Sequence, residues 1–180
     1  MVGGELSERA RRLQVACLAS GTTVALAESC TGGMVATALT EVTGSSGYFQ
    51  GAVVSYSDAA KRDLLAVDPA VLDAHGAVSA QVARAMAIGA RDRFRTTIAA
   101  AVTGIAGPDG GSDAKPVGLT YVAIADVDAI DVRRMVWAGD RTANRLDSAL
   151  AVLDLLIERA EAVDRPPRAT AGAGATSGGA

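Results

Sequence analysis

Six side chains that could serve as hydrolytic nucleophiles are singled out by their small, glycine-rich surroundings: Ser29, Cys30, Thr31, Ser45, Ser46 and Thr103. A hydroxyl attacks a carbonyl only when a base takes its proton, and near neutral pH that base is a histidine, a lysine or a tyrosinate. The chain has a single histidine, His75, and among its 17 Lys and Arg residues only Lys61 and Lys115 are lysines. Arginine stays protonated and is no base. His75 lies in Asp73-Ala74-His75-Gly76, a helix-end pattern in which an imidazole caps the last carbonyls, so it reads as structural. Lys61 follows Tyr56 by five residues, just past an expected strand end, and burial or a neighbouring cation lowers a lysine into the range of a base. A Ser–Tyr–Lys constellation is one reading; an ordinary surface lysine is the other. Cys30 offers a third chemistry if a helix opening at Gly32 lowers its thiol pKa, against the plainer reading of a small buried cysteine.

Composition narrows the choices. One histidine cannot build a multi-histidine metal site, and Cys17 and Cys30 lack zinc-type spacing, so neither a metal nor a cofactor is expected. The same two cysteines form no disulfide framework, and no basic start followed by an apolar run marks a signal peptide, so a cytoplasmic location is expected. No apolar stretch reaches the roughly 18 residues of a membrane span. A net charge of −3 and 3% aromatic residues argue against nucleic-acid binding through phosphate contacts or base stacking.

Three polar, glycine-rich stretches stand out: Glu28-Ser29-Cys30-Thr31-Gly32-Gly33, Gly44-Ser45-Ser46-Gly47, and residues 103–111. They read either as tight turns or as places where backbone N–H groups meet an anion, with a helix opening at Gly32 adding its positive end. Gly104-Ile105-Ala106-Gly107 is neither a P-loop nor a dinucleotide fingerprint.

The elements that must carry these residues alternate. Leu6, Ala10, Leu13 and Cys17 recur at helical spacing. Strands are expected at 23–27, 52–56 and 98–103, and a hairpin joins 117–125 to 130–137. Helices are expected from Gly32, at 58–65, after a Ser79 cap with Val82, Ala85, Met86 and Gly89 inward, and at 142–162 with Leu146, Leu150, Leu153 and Ile157 on one face. This predicts an α/β fold, a three-layer α/β/α sandwich with a mixed sheet, over residues 1–163. Residues 164–180, only Pro, Ala, Gly, Ser, Thr, Asp and Arg, read as a flexible tail.

Several motifs in register resemble one family. Ala27-Glu28-Ser29-Cys30-Thr31-Gly32-Gly33, Gly44-Ser45-Ser46, Val54-Ser55-Tyr56-Ser57, Lys61, His75-Gly76-Ala77-Val78-Ser79, residues 103–111, Lys115-Pro116-Val117-Gly118 and Gly139-Asp140-Arg141 are similar to the CinA C-terminal domain family, across residues 6–160. The family includes stand-alone nicotinamide-nucleotide amidases. The resemblance implies metal-free hydrolysis of the carboxamide of nicotinamide mononucleotide, a small-molecule nucleotide substrate, and a homodimer. It implies Ser46 as nucleophile, Lys61 as base with Tyr56 assisting, and Ser29 as a further active-site serine. Thr31, Gly32, Gly33, Thr103, Gly104, Gly107 and Arg141 are implied to bind substrate, Arg141 at its phosphate. A catalytically silent nucleotide-binding or competence-related adaptor domain is the alternative.

Overall fold

Two short strands buried on both faces anchor the molecule. Val24–Glu28 (β1) and Ile98–Gly104 (β3) are almost wholly inside and read as near-continuous apolar runs, as central parallel strands do. The structure is a computed structural model that describes residues 4–163; the expected tail at 164–180 lies outside the described residues. Phe49–Val54 (β2) pairs parallel to β1 on one side and β3 pairs parallel on the other. Leu119–Ala125 (β4) and Ile130–Val136 (β5) form the expected hairpin and add antiparallel strands, giving the order β2-β1-β3-β4-β5.

Helices cover both faces. Gly4–Ser20 (α1), Met34–Thr40 (α2) and Arg141–Val163 (α6) pack on one. Asp58–Leu65 (α3), Pro69–His75 (α4) and Ala80–Phe94 (α5) pack on the other. The fold is thus the expected α/β three-layer sandwich with a mixed sheet. Leu6, Ala10, Leu13 and Cys17 all lie inward on α1, and Ser79 caps α5 by accepting from Val82 N at 3.2 Å. Among the described residues no helix is long and apolar enough to cross a membrane.

Three details differ from the sequence expectation. β2 starts earlier, where an irregularity between its pairings with Val24 and Ala25 hides the alternation, and it stops two residues before Tyr56. Residues 69–75, of which the sequence marked only the end at His75-Gly76, form a helix of their own, started by Pro69 behind the Asp68 cap. On α5, Ala83, Ala87 and Ala90 join Val82 and Met86 in the core. Gly89 instead lets α3 approach: a Cβ there would stand 2.0 Å from the Leu65 carbonyl oxygen.

Candidate active site

The parallel strands β2, β1 and β3 all point their carboxyl ends to one edge of the sheet. Chain order reverses at β1, with β2 on one side and β3 on the other, which is where open α/β sheets hold ligands. Glu28 is in register with Val54 and Val102. The ladder runs one residue further: Ser29 N donates to Val102 O at 3.0 Å and Ser55 N to Glu28 O at 2.8 Å. Ser55, Ser29 and Thr103 therefore form a row across three strand ends.

Lys61 reaches this row from above. The Ser57 hydroxyl accepts from Ala60 N at 3.1 Å and starts α3 immediately past β2, so one turn later Lys61 faces back over the strand ends. The side chain is 1% exposed. Its Nζ donates to Ser55 O at 2.9 Å and to Ser29 Oγ at 3.3 Å. Burial holds the amine below its ordinary value, with Asp58 and Cys30 pulling weakly the other way.

The turn after β1 is organised from inside. Glu28 is buried and its carboxylate accepts from Thr31 Oγ1 at 2.7 Å, Gly33 N at 3.0 Å, Val35 N at 3.3 Å and Ala36 N at 2.8 Å. The helix start that the sequence offered to a substrate anion is filled by the protein's own acid. Thr31, wholly buried, spends its hydroxyl on that acid, and Gly32 and Gly33 serve the turn with φ of +63° and +93°. The filled helix start also answers the question of the thiol. Burial pushes Cys30 up to about 11, and Glu28 adds to the shift while Arg145 opposes it. A thiol so raised is protonated at neutral pH and is a poor nucleophile.

The other expected residues fall into two groups. Near the row, Thr103 is buried and donates to Ala77 O at 2.9 Å. Gly104 lies where a Cβ would stand 2.7 Å from Thr120 Oγ1, so it serves close packing of β3 on β4. Arg141 Nη1 donates to Gly107 O at 2.8 Å and Nη2 to the Tyr56 hydroxyl at 3.3 Å, tying the 103–111 loop to an aromatic ring that is 62% exposed. The second group lies away from it. Ser46 sits in a 3-10 turn, Ser45–Gly47, that precedes β2. Tyr48 O, next along, accepts from Val24 N at 2.8 Å, at the first residue of β1. Five strand residues at about 3.3 Å each put Val24 about 17 Å from Ser29, so Ser46 and Ser29 stand beyond opposite ends of β1. The structure brings Ser29, Tyr56, Arg141 and Lys61 to one edge and leaves Ser46 exposed at the other. Lys115, the second lysine, is taken by the His75 carbonyl at 2.6 Å.

Two residues at this edge escaped the sequence reading. Arg145 donates to Cys30 O at 3.1 Å and Thr31 O at 2.8 Å, and Asn144, buried, bridges Gly139 N and Ala106 O at 3.0 Å each. Their signal was the spacing Arg141, Asn144, Arg145, which puts all three on one face of the first turns of α6.

Comparison with known proteins agrees with this architecture. The chain is 54% identical over 139 residues to a CinA-like protein of Geobacter sulfurreducens, and 50% identical over 144 residues to one of Mycolicibacterium gilvum. It spans about a third of the length of these relatives, 34% in each, while 77% and 79% of this chain is covered. Among solved structures, the competence/damage inducible protein CihA of Agrobacterium tumefaciens superposes with a TM-score of 0.85 at 42% identity, covering 92% of this chain and 99% of that one. A CinA superfamily protein of Klebsiella pneumoniae gives 0.83 at 34% identity, covering 86% and 97%. With residues 6–160 matching the CinA C-terminal domain, the chain belongs to that family.

Proposed function

We propose that the edge holding Ser29 and Lys61 is a metal-free amidase centre that hydrolyses the carboxamide of nicotinamide mononucleotide to nicotinate mononucleotide and ammonia. One observation carries the reading: a lysine 1% exposed, its amine depressed by burial, donating to a serine hydroxyl at the switch point of the sheet. The resemblance to a family that includes nicotinamide-nucleotide amidases supports the choice of substrate class. The same distance makes Ser29, rather than Ser46, the nucleophile of the proposal.

In the acylation step neutral Lys61 takes the proton of Ser29 Oγ as that oxygen bonds to the carboxamide carbon. The resulting ammonium returns the proton to the amide nitrogen, the C–N bond breaks, and ammonia leaves. Water then attacks the ester, giving a proton to Lys61, which passes it to Ser29 Oγ as the acid is released. Arg141, at the open rim, is suited to the substrate phosphate, since the start of α2 is occupied by Glu28. A homodimer, implied by the family resemblance, belongs to the same reading.

The test is to incubate purified protein with nicotinamide mononucleotide and follow ammonia. Release that Ser29→Ala abolishes and Ser46→Ala leaves intact is expected. Binding without release by folded wild type would favour a silent nucleotide-binding domain instead, and loss in Ser46→Ala alone would return the nucleophile to that residue.

A further inference from the structure

Buried polar atoms without partners are rare and ask for a reason. Among the described residues three buried side-chain oxygens have none: Tyr48 Oη, Ser55 Oγ and Thr96 Oγ1. Tyr48 and Thr96 lie just before β2 and β3, at the far edge of the sheet. Ser55 lies at the catalytic edge. Val53 packs into the α5-side core, and alternation along the strand turns Ser55 to that same layer, the one that holds α3 and Lys61. The main-chain oxygen of Ser55 already accepts from Lys61 Nζ at 2.9 Å, so the orphan hydroxyl belongs to the residue against which the amine rests.

The hydrogen count of the amine makes use of that oxygen. An ammonium carries three N–H donors. Once Lys61 has taken the proton of Ser29, one N–H faces Ser29 Oγ and one faces Ser55 O; no acceptor is fixed for the third. We infer that the Ser55 hydroxyl is a positioning residue for Lys61, turning to accept the third N–H of the ammonium formed when the Ser29 proton is transferred. The inference rests on the Ser–Lys reading of this edge. That N–H is already on the neutral amine, where it is a weak donor, and becomes a strong, charge-assisted donor in the ammonium, so the hydroxyl turns to it as the charge forms and relaxes when the proton moves on to the leaving nitrogen.

A residue with this role behaves unlike a structural one. Ser55→Ala removes an oxygen that makes no bond in the fold, so the thermal midpoint is expected to stay the same or rise. Turnover should fall at least tenfold in kcat with KM little changed, and Ser55→Thr, which keeps the hydroxyl, should recover most of it. The limb of kcat that rises with pH should move to lower pH in Ser55→Ala, because the ammonium has lost an acceptor. The other titratable groups acting on Lys61, Asp58 from α3 and Cys30 from the turn after β1, are unchanged in the variant. A second readout is independent of substrate: the rate at which a fluorophosphonate probe labels Ser29, located by mass spectrometry. Labelling several-fold slower in a fully folded Ser55→Ala supports the inference. Equal labelling in both proteins, or no labelling of Ser29 in wild type, overturns it. Normal labelling with no release of ammonia by wild type would sink the substrate assignment while leaving the role of Ser55 standing.

Discussion

Burying an amine penalises its charged form, and Lys61 bears that penalty next to a hydroxyl that needs a base. The sign of the pH dependence follows. The neutral amine is the active form, so activity is complete above the pKa of Lys61 in the folded protein and is lost as pH falls through it. Because that pKa lies below 10.5, a profile of kcat/KM against pH, which reports the free enzyme, should reach half its plateau below 10.5; a midpoint at or above that value would mean that Lys61 is not the base. Lys61→Arg keeps a cation but has no accessible neutral form, and kcat should drop by about 10²–10⁴-fold, the usual worth of a general base. Cys30→Ala, by contrast, should turn over at about the wild-type rate. Its thiol, pushed up to about 11 by burial, is protonated throughout the working range. Loss of activity in that variant, with the fold intact by circular dichroism, would reopen the cysteine chemistry.

At the level of elements, two contacts set where these residues stand. Glu28 binds the start of α2 through four donors, and Glu28→Ala would leave the N–H groups of Gly33, Val35 and Ala36 without an acceptor inside the protein. A loss of about 3 kcal/mol or more in urea unfolding is expected, from unsatisfied donors costing roughly 1–3 kcal/mol each. The second contact is that of α3 with α5 at Gly89. Glycine to alanine inside a helix ordinarily gains about 1 kcal/mol. Here the new methyl would meet the Leu65 carbonyl at 2.0 Å, so the helices must part, and overpacking of this kind costs about 1–3 kcal/mol. Gly89→Ala should therefore lower the urea midpoint, and kcat with it, since Leu65 stands one turn from Lys61 on α3. Much of this layer was legible beforehand. The spacing of Leu6, Ala10, Leu13 and Cys17 marked α1, Ser79 marked a helix start, and the apolar runs marked β1 and β3. Glu28 was not legible in the same way. An acid at a strand end reads alike whether it faces solvent or folds back onto a helix start, and only the path of the following turn decides. Ser29 and Ser46 posed a similar problem. Both sit among glycines beside a strand, and nothing local tells that one turn follows a parallel strand while the other precedes one.

That difference is decided by the whole molecule. Three parallel strands sort every connection to one edge or the other: the turn after β1, residues 55–57, the 103–111 loop and the start of α6 go to one, and the Ser45–Gly47 turn goes to the opposite one with the tip of the β4–β5 hairpin and the end of α6. Contact across the molecule confirms the second group, since Arg159 near the end of α6 pairs with Asp126 at the hairpin tip. A ligand seated at the switch point touches only the first group, so binding should slow amide exchange at one edge alone. With Ser29→Ala used to hold nicotinamide mononucleotide without turnover, hydrogen exchange should slow in peptides covering 28–33, 55–61, 103–111 and 137–145. Peptides covering 42–48 and 126–129 should exchange as in the free protein. Protection centred on 42–48 would mean that substrate binds at the Ser46 edge, and the Ser29–Lys61 pair would then be a polar contact of the fold without a part in binding.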